Sequence, residues 1–200
     1  MIPARAVEAR PERALRILAL DDSESDIKLM ERTLRAGDLS FAITRVETRQ
    51  AFERALQGKP YDVILVDYKL PNFDGLSALR MAKRVQPDTP VIVVTGSLSD
   101  ELAVEFLQEG AADYLLKDRR SRLAVAISRA VEEARQKKER AASEERYQTL
   151  FQQSRDAVAT LDCLQGLIVD ANPAFATLAG RAGEALRGLA FCELASAEQL

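Results

Sequence analysis

The sequence predicts an α/β fold: a doubly wound, five-stranded parallel sheet, then a long connector helix and a partial α+β module. Ile17 to Leu20, Val63 to Val66 and Val91 to Val94 are continuously apolar and mostly β-branched. Continuity rather than alternation implies burial on both faces, as in a parallel sheet covered by helices. Segments of helical period separate these runs. From Ala111 to Gln165 there is neither Gly nor Pro, which leaves room for one long helix.

Taken in order, the first strand is ILAL, ending at Leu20, and Ile27, Met30 and Leu34 mark the helix after it. Phe41 to Val46, more amphipathic, is the second strand, followed by a helix through Phe52, Ala55 and Leu56. VILV precedes a helix carrying Leu76, Leu79 and Ala82; VIVV precedes one carrying Ala103, Phe106 and Leu107. Tyr114 to Leu116 is the fifth strand. Gly37, Gly58 with Pro60, Pro87 with Pro90, and Gly110 punctuate the helix ends. Repeated right-handed β-α units with short loops give an open sheet with helices on both sides.

Arg122 to Gln153 reads as one helix. Leu123, Ile127 and Val131 suit packing on the sheet, but EEARQKKERAASEER, from Glu132 to Arg146, is almost wholly charged or small. That stretch is either a solvated connector or a helix that pairs with its twin, Ala134, Ala141 and Ala142 forming a weak seam. Such a helix would be about 50 Å long, enough to couple two domains. After Tyr147 the pattern changes. Ala157 to Leu161 and Gly166 to Val169 read as a hairpin around Asp162 to Gly166, and Asn172 reads as a helix cap before Pro173.

Composition narrows the function. The 200 residues carry 28 basic and 31 acidic side chains, a formal net charge of -3, which gives no electrostatic reason to bind nucleic acid or an anionic membrane. Residues 1–15 lack the apolar core of a secretion signal, and no run approaches the roughly 18 apolar residues that cross a bilayer, so a cytoplasmic location is expected. Cys163 and Cys192 lack CxxC spacing and read as small buried side chains in a reducing compartment. The chain has no histidine. A histidine metal site, a Ser/His/Asp triad and a phosphohistidine made on this chain are thereby excluded.

The polar residues that stand out lie at the carboxyl ends of predicted strands, where open α/β sheets place their ligands. Asp21 and Asp22 follow the first strand, Asp67 the third, Thr95 the fourth and Lys117 the fifth. Each alone is unremarkable: Asp21, Asp22 and Asp67 are common loop residues, Thr95 a turn former beside Gly96, Lys117 a surface charge. With neighbouring strands about 4.8 Å apart, however, the set converges on one crevice. Three carboxylates there repel one another; at about 4 Å and an effective dielectric of about 20 each pair costs ~4 kcal/mol. Positive charge must offset this, and oxygen-only ligands favour a hard cation, Mg²⁺ rather than Zn²⁺. A carboxylate nucleophile, a divalent ion, an ammonium and a hydroxyl are the parts of a phosphoryl-transfer site, with an aspartyl phosphate as product.

Arg16 to about Glu132 resembles a response-regulator receiver domain, through RILALDDSESD, DVILVDYKLPNFDG, PVIVVTGSLSDE and GAADYLLKD. The resemblance implies a flavodoxin-like sheet of order 2-1-3-4-5 and Asp67 as phosphoacceptor. It implies Mg²⁺ held by Asp22, Asp67 and the Lys69 backbone carbonyl, with Asp21 assisting through water. Thr95 and Lys117 would contact the phosphoryl oxygens, and Thr95 and Tyr114 would form the switch, although Tyr114 alone reads equally well as packing. Lys69 and Ser97 stand where family members tune the phosphoryl lifetime. Asp118 stands where the family commonly has a cis-proline; a cis non-proline bond costs roughly 3 kcal/mol, so a trans bond or stored strain is expected.

The last part resembles the first half of a PAS domain, through ERYQTLFQQSRDAVATLD, GLIVDANPAF and GEALRGLAF. It stops where that family adds its remaining strands, which implies a truncated module with exposed apolar edges. The expected organisation is a flexible tail over 1–14, a receiver domain over 15–132, a helical connector over 133–146, and the N-terminal part of a PAS-like domain over 147–200.

The expected function is a phosphorylation-dependent response regulator, a phosphoacceptor rather than an enzyme. Its donor would be a sensor histidine kinase or histidine phosphotransfer protein, with a homodimer formed through the connector helix. A phosphorylation-independent scaffold is the alternative. A phosphatase of the haloacid dehalogenase type fits worse, since it needs an Asp two residues after the nucleophile and Lys69 stands there.

Overall fold

In a computed structural model of the chain, residues 13–71, 73–96 and 100–196 are described. Ser97 and most of the expected N-terminal tail lie outside them. The chain divides into two compact units, residues 1–138 and 139–200.

The first unit alternates strand and helix: β1 (Leu15–Leu20), α1 (Glu24–Ala36), β2 (Phe41–Val46), α2 (Arg49–Leu56), β3 (Val63–Asp67), α3 (Gly75–Val85), β4 (Val91–Thr95), α4 (Asp100–Gln108) and β5 (Asp113–Leu116). A 3₁₀ turn, Lys117–Arg122, then leads into α5 (Leu123–Gln153). The strands form one parallel sheet in the order β2-β1-β3-β4-β5.

The buried runs explain why the sheet is covered on both sides. Successive side chains on a strand point to opposite faces. Ile17, Ala19, Val63, Leu65, Ile92 and Val94 therefore meet Ile27, Met30 and Leu34 of α1 and Leu123 and Ile127 of α5 in one cluster. Leu18, Leu20, Ile64, Val66, Val91 and Val93 meet Phe52, Leu56, Leu79 and Phe106 in the other. Every residue of β3 and β4 is buried, whereas β2, with a neighbour on one side only, alternates.

Caps set where helices begin. Ser23, Thr48 and Asp74 accept hydrogen bonds from the backbone N–H groups of Asp26, Ala51 and Ser77. Gly37 ends α1 where a Cβ would lie 2.6 Å from the Cβ of Ala124, so α1 and α5 approach more closely than any larger residue allows. The helix read from Arg122 starts one residue later, after a 3₁₀ segment that is itself kinked at Arg119 (φ -106, ψ 31).

In the second unit, β6 (Ala159–Leu161) and β7 (Ile168–Ala171) pair antiparallel, followed by α6 (Pro173–Leu178), α7 (Gly183–Leu186) and α8 (Phe191–Ser196). The hairpin sits where the sequence reading put it, but its second strand is displaced toward the C-terminus. Asp162 accepts from the N–H groups of Leu164 and Gln165, and Gly166 takes φ +66, so the turn consumes Gly166 and Leu167. Asn172, fully buried, caps α6 by accepting from Phe175 N–H. It also accepts from Val158 N–H and donates to the carbonyls of Phe151 and Asp156.

The expectation of buried cysteines is corrected: both are exposed. Cys163 lies in the hairpin turn, where local backbone bonds rather than packing fix the chain, and Cys192 lies on α8. Val158, Leu161, Leu164, Val169, Leu178 and Phe191 are exposed in the same unit. On α5, residues 135–150 are all exposed.

Candidate functional site

The parallel sheet places the carboxyl ends of β1, β3, β4 and β5 at one edge, and the polar residues named from the sequence gather there. Asp21 and Asp22 follow β1, Asp67 ends β3 beside Val94 of β4, and Thr95 ends β4 beside Leu116 of β5. Carboxylate oxygens of Asp21, Asp22 and Asp67 lie within 4.8 Å of one another. Asp21, Asp67 and Thr95 are buried and Asp22 is exposed. The donor set is oxygen only, which fits a hard divalent cation that keeps part of its water shell.

Lys117 is the counter-charge. Its Nζ donates to Asp67 Oδ2 at 2.7 Å, Asp26 Oδ2 at 2.6 Å and Asp21 Oδ2 at 3.3 Å. Burial disfavours the ammonium, but these carboxylates outweigh it and push Lys117 well above its ordinary value. Burial pushes the Asp21 carboxyl up, against the Ser23 N–H and Lys117, which pull it down. In Asp26 burial acts the same way, yet Lys117 and Arg120 prevail and hold that carboxyl below its ordinary value.

Backbone contacts fix the carboxylates. Asp21 Oδ1 accepts from Ser23 N–H at 2.8 Å and Asp67 Oδ1 from Lys69 N–H at 3.1 Å. Tyr114, on β5 beside Val93, is half-buried against the α2–α4 side of the core. The Lys117–Asp118 bond is not cis, which removes the strained alternative.

Three residues escaped the sequence reading. Arg45, at the end of β2, donates to the backbone carbonyls of Asp21 and Asp22 at 3.1 and 2.7 Å and so braces the acidic loop. Asp26 binds Lys117 and, at 2.6 Å, Arg120. Asp26 had a sequence signal, since it stands three residues after the cap Ser23, but that spacing signals a capping pair rather than a site residue. Arg45 and Arg120 had none beyond their charge.

The response regulator receiver domain family matches residues 17–128. The chain belongs to this family. A PAS domain match covers residues 145–198, so the receiver domain is followed by a PAS domain. The receiver region is 35% identical over 101 residues to the transcriptional regulatory protein ZraR of Escherichia coli O157:H7, covering 50% of this chain and 22% of that protein. The matched region thus spans about a fifth of that relative's length. The receiver domain of sensor histidine kinase PA1611 from Pseudomonas aeruginosa PAO1, solved with a magnesium ion coordinated in its active site cleft, is 28% identical. Its TM-score is 0.52, covering 60% of this chain and 99% of that one. A response regulator from Burkholderia pseudomallei, with a phosphorylated aspartic acid, a calcium ion and citrate, is 26% identical with a TM-score of 0.51, covering 65% of this chain and 74% of that one.

The receiver domain is thus a signalling module of two-component systems rather than an enzyme in the ordinary sense. Its Asp21, Asp22 and Asp67 form an acidic site of the kind that holds Mg²⁺ in receivers. Among the described residues no helix is long and apolar enough to cross a membrane.

Proposed function

We propose that Asp67 accepts a phosphoryl group from a separate phosphohistidine protein and that the receiver domain then changes conformation to control the module after it. The observation that carries this reading is the ammonium of Lys117 between buried carboxylates, 2.7 Å from Asp67. A receiver with this arrangement has a nucleophile and a counter-charge on the same side of the transferring group.

An Asp67 carboxylate oxygen attacks phosphorus; an O–P bond forms while the P–N bond to the donor imidazole breaks, and its electron pair stays with that imidazole. None of these 200 residues is a histidine, so the donor phosphohistidine lies outside them, on a sensor kinase or phosphotransfer protein. Lys117 and the Thr95 hydroxyl would bind the phosphoryl oxygens. Asp22, Asp67 and the Lys69 carbonyl would hold Mg²⁺, Asp21 contributing through water. When bound, the ion neutralises charge on the phosphoryl oxygens.

Thr95 moving toward the phosphoryl group and Tyr114 turning inward would carry the switch. The organisation that suits this is a receiver over 15–132, a connector over 133–146 that pairs two protomers, and a PAS-like module over 147–200.

Intact-mass measurement after incubation with Mg²⁺ and acetyl phosphate tests the reading. The full chain should gain one phosphoryl group, none when the ion is chelated and none in Asp67→Asn. Labelling retained in Asp67→Asn would put the acceptor elsewhere, and no labelling of the native chain would favour a phosphorylation-independent scaffold.

A further inference from the structure

Lys117 does not belong to the phosphoacceptor alone. Its nitrogen lies 2.6 Å from Asp26 and 2.7 Å from Asp67, so a carboxylate outside the metal triad takes as close a hold on it as the acceptor does. The other oxygen of Asp26 is bound by Arg120 Nη2 at 2.6 Å. All three groups are shielded, with side-chain exposures of 17% for Lys117, 17% for Arg120 and 23% for Asp26, so these charges interact through a poorly screened medium. Arg120 reaches Asp26 by one nitrogen only, and its Nε is buried with no hydrogen-bond partner among the described residues. A guanidinium can grip a carboxylate by two parallel N–H bonds, so Arg120 has donor capacity left to spend on Asp26.

The geometry points to Asp26 as a positioning residue that holds Lys117 back from a phosphoryl group on Asp67, with Arg120 as the cation that takes over Asp26 when Lys117 leaves. This inference rests on Asp67 being the phosphoacceptor. An ammonium has three donors, and new phosphoryl oxygens on Asp67 compete with Asp26 for them. Releasing Asp26 uncompensated would strand a shielded carboxylate, which is costly; Arg120, turning to bind both its oxygens, removes that cost. The strength of the Asp26–Arg120 pair therefore sets how fully Lys117 engages the phosphoryl group, and with it the lifetime of the phosphorylated state. In the decay, water oxygen bonds to phosphorus and the P–O bond to Asp67 breaks. Its electron pair returns to the carboxylate, and phosphate and a proton are released.

The two partners should act in opposite directions. Asp26→Asn keeps the shape, removes the competing charge and should lengthen the phosphoryl lifetime. Arg120→Gln leaves Asp26 dependent on Lys117 and should shorten it. Each change should be on the order of tenfold, the size of one charge-assisted hydrogen bond. The double variant should follow Asp26→Asn, because Arg120 acts only through Asp26. A residue that merely supports the fold would move both single variants the same way.

The experiment labels the full chain and its variants with Mg²⁺ and acetyl phosphate, removes the donor and follows phosphoryl loss by intact mass. Lifetimes diverging in opposite senses, with Asp26→Glu keeping the native value, support the assignment. Single variants that shift together, or not at all, in a native chain that labels normally overturn it while leaving Asp67 as acceptor. A native chain that takes no phosphoryl group overturns the reading of Asp67 first and this inference with it. Should Asp26→Asn fail to fold, Arg120→Gln decides alone, and an unchanged or longer lifetime in it overturns the assignment.

Discussion

Lys117 offsets most of the mutual repulsion of the acidic cluster. Asp21, Asp26 and Asp67 all contact its ammonium, whose side chain is 17% exposed. Removing the charge in Lys117→Met should destabilise the first unit by about 3 kcal/mol, the cost of leaving buried carboxylates uncompensated. Denaturant unfolding with and without Mg²⁺ checks this, and the loss should shrink when the ion is present. The pH dependence follows from the upward shift of Lys117. Its stabilisation is fully present below the ordinary lysine value of 10.5 and is lost only as pH rises through the higher folded value. At the residue scale the sequence disclosed Asp21, Asp22, Asp67, Thr95 and Lys117 because each ends a strand, and strand ends were readable from the apolar runs. Asp26, Arg45 and Arg120 were not readable, since their partners lie about 20 to 100 residues away in sequence and a helix-capping or surface role explained each locally.

Among the elements, the junction from β3 to α3 is tightly constrained. Gly75 opens α3 where a Cβ would lie 2.7 Å from the Tyr68 Cα and 3.1 Å from the Asp67 carbonyl oxygen, so the helix and the end of β3 touch without room for a side chain. Asp74 caps that helix at 2.7 Å from the Ser77 nitrogen. Burial works to raise the Asp74 carboxyl, but the Ser77 N–H and its neighbours lower it below 3.8. Its contribution is therefore present above that value and lost as pH falls through the folded value. Asp74→Ala should cost about 1 kcal/mol at neutral pH, and thermal melts of the two proteins should converge in strong acid. The strands with continuous apolar residues were legible because burial on both faces leaves no other pattern. The 3₁₀ turn over Lys117–Arg122 was not, because KDRRSR carries neither Gly nor Pro to mark a departure from the α-helix. The exposed cysteines were missed for a related reason: the usual burial of cysteine assumes a full core around it, and the two-stranded sheet of the second unit supplies little.

For the molecule as a whole, the question is whether the two units are separable in stability. Asn172 is the internal tie of the second, linking the end of α5, the start of β6 and the start of α6 through four hydrogen bonds. Asn172→Ala should cost that unit about 3 kcal/mol by leaving buried backbone groups without partners. Phosphoryl labelling of the first unit should persist, which intact mass on the destabilised variant checks; loss of labelling would mean that the units stand or fall together. Charge balance and the change of pattern after Tyr147 made the two-part character readable, since EEARQKKERAASEER cannot enter a core. The central claim is that Asp67, among the carboxylates crowded at this sheet edge, forms the acyl phosphate. Borohydride trapping of the labelled chain followed by peptide mapping tests it most directly. Reduction should convert Asp67 to homoserine and leave Asp21, Asp22 and Asp26 unchanged; homoserine at any of those three, or at none of the four, would contradict it.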